Sequence, residues 1–320
     1  MKIISFITIL ILFSIYDHND DTFAQSDGRY TIVVHGGAGY ISPDIPEEVK
    51  NAYLNSLEVA LKLGIEILSE GGTSLDAVEM VIRFFENDTL FNAGKGAVFT
   101  SIGTHELDAS IMNGNDLSTG AVAGVKIIKN PISLARLVME KTPHVLFAGE
   151  GADNLGMEFE VEIVDNNYFD VYKRYQQWKL KQQELIKGTV GCVAIDNFGN
   201  IAAGTSTGGL TGKWPGRVGD SPLINAGTYA DNNTCGVSGT GQGELFIRYT
   251  VAYNISALIK YKNYSLEEAA QEIVFNVLPE GSGGIIAVDK DGKYSLTFNT
   301  TSMLRGIANS EGIFEIAIWK

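Results

Sequence analysis

The chain has 320 residues, a length compatible with one large or two smaller domains around a sizeable core. Hydrophobic residues make up 45% and charged residues 19%, with 36 Gly against 7 Pro, which excludes a disordered or fibrous chain. A net charge of −14 without any basic cluster excludes phosphate backbones and anionic lipid, so no nucleic-acid partner is expected.

The opening residues, MKIISFITILILFSIY, set one Lys ahead of an apolar run too short for the roughly 20 residues that span a bilayer. They read as a secretory signal over residues 1–24, cut after Thr22-Phe23-Ala24, which implies a secreted or periplasmic protein with no membrane association once the signal is gone; an uncleaved anchor is the alternative. Tyr30 to His35 then forms a compact apolar run ending in Gly36-Gly37-Ala38-Gly39, the pattern of a buried strand entering a tight turn. Apolar spacing of three and four predicts helices over Pro46 to Leu68 and Ser74 to Phe85, the second with Ser74 as N-cap. Phe91 to Met112 is Gly-rich with short β-prone pieces, Ala121 to Ile128 reads as a strand, and Ser133 to Glu140 as a helix.

Residues 158–187 are dominated by Asp, Asn, Tyr, Lys and Gln and predict a polar surface linker. Beyond it, Thr189 to Asp196 and Ile201 to Thr205 flank the turn 197–200, and Gly284 to Val288 and Tyr294 to Phe298 flank the turn 289–292, two hairpins by their pattern. Helices over Leu245 to Tyr261 and Ser265 to Val277 lie between them, and Ile313 to Trp319 adds a last strand. Hairpins with paired helices point to an α+β fold in which two antiparallel sheets stack and are covered by helices, a four-layer αββα arrangement. Cys192 and Cys235 stand alone in apolar or Gly-rich text without metal-ligand spacing; free core residues are expected, with pairing left open.

Gly204-Thr205-Ser206-Thr207-Gly208 matches a serine-hydrolase elbow letter for letter. It lacks the helix that must follow, because Gly and Pro break residues 209–222, and His18, His35, His105 and His144 all precede the serine whereas the base must follow it. Gly208 to Lys213 imitates a phosphate loop, but the glycine spacing is one short and Trp214 stands where a magnesium-binding hydroxyl is needed. Without a usable Ser-His pair, a His-rich metal cluster or a dinucleotide fingerprint, a remaining route to a nucleophile is a terminal hydroxyl residue activated by its own α-amine. Thr189 is the candidate: it follows Gly188, which adds no side chain to obstruct attack on its carbonyl, and it begins a strand after the polar linker.

Gly188-Thr189-Val190-Gly191, Ala203 to Gly209, Gly216-Arg217-Val218-Gly219-Asp220-Ser221-Pro222, Gly227 to Ala230 and Gly239 to Glu244 closely resemble the plant-type asparaginase and isoaspartyl peptidase family. His35 to Gly39, Phe91 to Phe99 and Glu106 to Ser110 extend the resemblance, which spans about residues 30 to 306. It implies an N-terminal-nucleophile hydrolase that cuts itself between Gly188 and Thr189 into an α subunit, residues 25–188, and a β subunit, residues 189–320, forming one domain. The implied substrates are β-aspartyl dipeptides and L-asparagine.

The same resemblance implies a role for each matching residue. Thr189 is the nucleophile with its α-amine as base, and Thr207 holds the nucleophile. Arg217 takes the substrate α-carboxylate and Asp220 its α-ammonium. Thr240 and the N–H of Gly241 form the oxyanion hole, and Gly243 permits close approach. No cofactor is needed for catalysis, but a structural sodium ion is expected on backbone carbonyls of Phe85, Glu86, Asp88, Phe91, Ala93 and Lys95, although Glu86-Asn87-Asp88-Thr89 departs from the usual Pro-containing text. Two cleaved protomers are expected to associate. The glycosylasparaginase branch has Asp before its nucleophile and Asn within Thr-Ser-Thr-Asn-Gly, where this chain has Gly188 and Thr207-Gly208-Gly209. A binding protein that keeps the fold without self-cleavage is the alternative from another class.

Overall fold

A computed structural model describes residues 28–180 and 186–320; the expected signal segment lies outside the described residues. The first strand, β1 (Thr31–Gly39), is buried from Thr31 to Ala38, as an apolar run must be when it lies inside a sheet. The Gly36-Gly37 pair is not the tight turn expected from sequence. It is a β-bulge within the strand, and a Cβ on Gly36 would stand 2.8 Å from Cδ1 of Phe91.

Helix α1 (Glu47–Ser69) starts with two acidic residues, favourable at the positive end of its dipole, and buries the stripe Tyr53, Leu57, Ala60, Leu61 and Leu68. In α2 (Ser74–Asn87) the N-cap is Thr73, not Ser74: its hydroxyl accepts the Asp76 N–H at 3.1 Å, while the Ser74 N–H is held by Asp196 at 3.0 Å. Next come β2 (Leu107–Asn113), β3 (Thr119–Val125), α3 (Pro131–Lys141), β4 (Leu146–Ala148), α4 (Gly149–Glu158) and α5 (Tyr172–Lys179). Within the stretch expected to be a surface linker, residues 169–178 are anchored on the core. Phe169 is fully buried, Trp178 stacks on Phe99 at 5.5 Å, and Arg174 is 6% exposed, donating to the Gly96 carbonyl at 2.9 Å. Apolar periodicity misses this because the anchors are a few aromatics and a guanidinium instead of a stripe.

The second half runs β5 (Ile186–Lys187), β6 (Val190–Ile195), β7 (Ile201–Thr207), β8 (Thr228–Ala230), β9 (Cys235–Gly241), α6 (Gly243–Tyr249), α7 (Val251–Lys262), α8 (Leu266–Gln271), β10 (Gly283–Asp289), β11 (Tyr294–Ser295), β12 (Ser302–Asn309) and β13 (Phe314–Trp319). The single helix expected over 245–261 is two, broken where Thr250 takes a left-handed φ of 48°. Ser265 caps α8 in a full capping box with Glu268, and a π-helical turn over Glu272–Val277 follows.

The fold is α+β, as expected. One sheet has nine strands in the order β13-β12-β1-β6-β7-β2-β3-β4, with β5 also paired to β1; the other has four, β11-β10-β9-β8. Among the described residues, every pairing between two of these strands is antiparallel except β3 with β4. Helices α1, α2 and α3 pack on the larger sheet, α7 and α8 on the smaller, and β6 and β7 of the first sheet meet β9 of the second. Buried residues fall into two clusters, one under α1 to α3 and one between and beyond the sheets around Val193, Val237 and Ile286. Ala77, Val78, Val81, Ile82 and Phe85 of α2 bury against β6 and β7; at about 1.5–3 kcal/mol for each large side chain, this packing fixes the hairpin that carries Thr189 and Thr207. Cys192 and Cys235 are free and buried.

Candidate active site

The register of β6 on β7 pairs Val190 with Ser206, bringing Thr189 beside Thr207 at the end of the hairpin. Thr189 Oγ1 donates to Thr207 Oγ1 at 3.1 Å, and the Gly209 N–H donates to the same oxygen at 3.0 Å. Strand alternation turns Ser206 to the opposite face, where its hydroxyl donates to the buried carboxylate of Glu86 at 2.7 Å. The G-x-S-x-G text is therefore a straight strand, and its serine is committed to the helix layer.

The Gly188 carbonyl, immediately before Thr189, accepts the backbone N–H of Asn92 at 3.1 Å. Every polar group of that asparagine works on this corner. Its amide nitrogen donates to the Gly209 carbonyl at 2.7 Å, its side-chain oxygen accepts the Val98 N–H at 3.0 Å, and its carbonyl accepts the Gly208 N–H at 2.9 Å. A Cβ on Gly188 would lie 2.8 Å from the Asn92 Cβ, so only glycine fits without displacement. The sequence placed Phe91 and Ala93, on either side of Asn92, in an ion loop and did not show the contact of Asn92 with Gly188, because the contact is a backbone N–H and leaves no trace in side-chain identity.

Thr189 is also held from behind. The ring of His35 is fully buried, which pushes its pKa down to about 3 despite the hydrogen bond to Thr189, so it is neutral at working pH. Its Nδ1 lies 3.0 Å from the Thr189 carbonyl oxygen and must donate; Nε2 must then accept from the Ser238 hydroxyl, 3.0 Å away. That choice orients a row of buried hydroxyls, since Thr205 then donates to Ser238 at 2.7 Å and Thr228 to Thr205 at 2.6 Å, while Ser110 shares its proton between the Ser221 carbonyl at 2.6 Å and Thr228 at 2.8 Å. The histidine is a satisfied scaffold group between the sheets.

A small cleft opens beside the two threonines, walled by Leu210, Arg217, Asp220, Gly241 and Gly243. Arg217 directs Nε and Nη2 to one oxygen of Glu244, at 3.1 and 2.8 Å, an ion pair that sequence reasoning did not find. Asp220 is buried with Oδ2 unpartnered; burial pushes its pKa up to about 7 although the Arg217 charge opposes this. A buried carboxylate oxygen without a donor is a costly feature and suits a cationic ligand group. At Gly243 a Cβ would stand 2.9 Å from Asp220 Oδ1 and 3.1 Å from Arg217 Nη2, so this glycine is what lets the backbone approach both. Thr240 is fully buried on β9, and its neighbour Gly241 lines the cleft.

Between α2 and β2, the carbonyl oxygens of Thr89 and Asp88 come within 3.0 and 3.1 Å of the point where Gly96 would carry a Cβ, and Phe91 O lies closer still. These backbone oxygens leave no room for a side chain at Gly96. Phe85 O and Ala93 O each also receive one N–H, from Asp88 and Gly96 at 3.1 Å, which leaves each a second lone pair. Among the described residues no cluster of His, Cys, Asp or Glu side chains could hold a metal ion.

The asparaginase family profile matches residues 28–318. The chain is 46% identical to the isoaspartyl peptidase of Escherichia coli, over 87% of this chain and 92% of that one. It is 43% identical to the probable isoaspartyl peptidase/L-asparaginase 2 of Arabidopsis thaliana, over 92% of this chain and 100% of that one. A bovine isoaspartyl peptidase/L-asparaginase is 42% identical over 85% of this chain and 91% of its own length. The chain belongs to the asparaginase family that these matches define, as its Gly188–Asp220 and Gly239–Glu244 motifs led one to expect.

Proposed function

We propose that this chain is the precursor of a threonine amidohydrolase, an isoaspartyl peptidase with L-asparaginase activity, and that it matures by cutting its own Gly188–Thr189 bond. The observation that carries the reading is the Thr189 hydroxyl 3.1 Å from Thr207, beside a Gly188 carbonyl already bonded to the Asn92 N–H. Thr189 Oγ attacks the Gly188 carbonyl carbon; the C–N bond breaks, its nitrogen takes the proton and becomes the α-amine, and water hydrolyses the resulting ester to a Gly188 carboxylate. The Asn92 N–H faces the oxygen on which charge develops.

The α-amine, with a reference pKa of about 7.7–8.0, then accepts the Oγ proton as Oγ attacks the β-carbonyl of an aspartyl amide. Thr207 holds the attacking oxygen, and Thr240 with the Gly241 N–H takes the oxyanion. The proton passes to the leaving amine, and a water molecule releases aspartate from the ester. Arg217 and Asp220 select the free α-carboxylate and α-ammonium of the aspartyl head, the guanidinium exchanging Glu244 for the substrate. Water is the only co-reactant.

In this reading residues 25–188 and 189–320 become α and β subunits of one four-layer αββα domain, two cleaved protomers associate, and residues 1–24 direct the protein to a secreted or periplasmic location. A sodium ion on the carbonyls of Phe85, Glu86, Asp88, Phe91, Ala93 and Lys95 would order the loop that carries Asn92. Intact-mass spectrometry after incubation at neutral pH tests the proposal: wild type yields a fragment beginning at Thr189 and hydrolyses β-aspartyl dipeptides, whereas Thr189→Ala stays whole and inactive. An uncut wild type that still turned over these dipeptides would refute the mechanism, and preference for glycosylated asparagine would refute the substrate.

A further inference from the structure

Behind the cleft lies a buried pair of opposite charges that the proposed mechanism does not use. Asp108 is fully buried on β2, directly across from Thr207 on β7, so the two side chains share a face. Its Oδ1 accepts the Gly124 N–H at 2.8 Å, while Oδ2 has no hydrogen-bond partner and lies 4.0 Å from Nζ of Lys213. The Lys213 side chain is 1% exposed, and its Nζ donates to the Glu106 carbonyl at 2.8 Å. The Glu106 carboxylate in turn accepts the Gly216 N–H at 2.8 Å.

This pair touches both halves of the site. The point above Gly209 where a Cβ would stand is 3.0 Å from Lys213 Nζ and 3.4 Å from Arg217 Nη1, so two cations flank one glycine. The N–H of the same Gly209 is the donor to Thr207 Oγ1. Burial pushes the Asp108 carboxyl up and the Lys213 ammonium down toward their neutral forms, and the charge of each opposes the other's shift.

We infer that Asp108 and Lys213 are positioning residues, a buried brace beneath Gly209 that sets Arg217 for the aspartyl head and Thr207 for the nucleophile. Without the Lys213 stem and charge, the 209–217 loop keeps only its Gly216 tie to Glu106, and Arg217 loses the cation that shares the space above Gly209 with it. This inference rests on the proposed aspartyl-head site.

The test uses Lys213→Met, Asp108→Asn and the double variant, each checked for self-cleavage by mass and for folding by thermal melting. L-Aspartate binding is read by calorimetry and dipeptide KM and kcat by turnover. The single variants should melt earlier, and the double variant should recover much of that loss, because it leaves no buried charge unpaired. Its aspartate affinity should nevertheless stay at least tenfold weaker than wild type, with KM raised more than kcat is lowered. Loss of self-cleavage in a double variant that still melts cooperatively also supports the brace, through its arm to Thr207. Recovery of both melting temperature and aspartate affinity would overturn it, leaving only a core ion pair. A cleaved wild type that binds no aspartate would instead sink the functional reading, and the brace with it.

Discussion

Gly243→Ala adds one methyl group at the closest approach of backbone to the aspartyl-head site. Its Cβ would stand 2.9 Å from Asp220 Oδ1, 3.1 Å from Arg217 Nη2 and 3.2 Å from the Asp220 N–H nitrogen. These are well inside van der Waals contact, and the Asp220 backbone cannot swing away as a side chain can. The guanidinium must retreat, and with it goes at least one charge-assisted hydrogen bond to the substrate carboxylate, about 1.5–3 kcal/mol. That corresponds to roughly a 10- to 150-fold rise in KM for a β-aspartyl dipeptide. The proposed self-cleavage involves neither Arg217 nor Asp220, so the mass fragment beginning at Thr189 should form at the wild-type rate. Steady-state kinetics on the cleaved variant, with an aspartate titration beside it, give the answer. An unchanged KM and unchanged aspartate affinity would refute the placement of the substrate head at Arg217 and Asp220.

The Asp220 carboxyl, with a pKa pushed up to about 7 in the empty site, is increasingly neutral below that pH and cannot pair with an ammonium; aspartate binding should weaken as pH falls through 7. Near pH 6.5 binding should also release a proton, read as a binding enthalpy that changes with the buffer's ionisation enthalpy; equal enthalpies in phosphate and imidazole buffers would contradict this. Arg174→Ala removes a buried guanidinium from the Gly96 and Leu90 carbonyls and should cost about 1–3 kcal/mol, seen as a lower melting temperature, with slower self-cleavage because the same loop presents Asn92 to Gly188. Gly151→Ala, in α4 with open space around it, should stabilise the protein by up to about 1 kcal/mol; a lower melting temperature would mean that this helix is held differently.

Much of the secondary structure was legible because it follows from local rules. The alternating or continuous apolar runs of β1, β6, β7 and β10 and the three-four spacing of α1 and α2 are visible without tertiary information. Other features were not. β9, with the text Cys-Gly-Val-Ser-Gly-Thr-Gly, has little β propensity and is a strand because its glycines admit neighbours: a Cβ on Gly236 would stand 2.6 Å from Val193, and one on Gly239 2.6 Å from Phe246. β12 escaped notice although it lies beside β1, and the bulge at Gly36 looked like a turn because a glycine pair carries the same signal in either setting.

For the site, the sequence alone singled out the candidate residues: Thr189 after Gly188, Thr207, Arg217, Asp220, Thr240, Gly241 and Gly243 stand in ordered motifs, and side-chain identity is what a motif records. Only the tertiary structure decided how they meet. It brought in the Asn92 N–H at the Gly188 carbonyl, the Glu244 partner of Arg217, the neutral His35 behind Thr189, and the buried Asp108 and Lys213. A backbone donor has no side-chain signature, and a pair distant in sequence acquires its distance, burial and protonation state only when strands from both halves of the chain pack together.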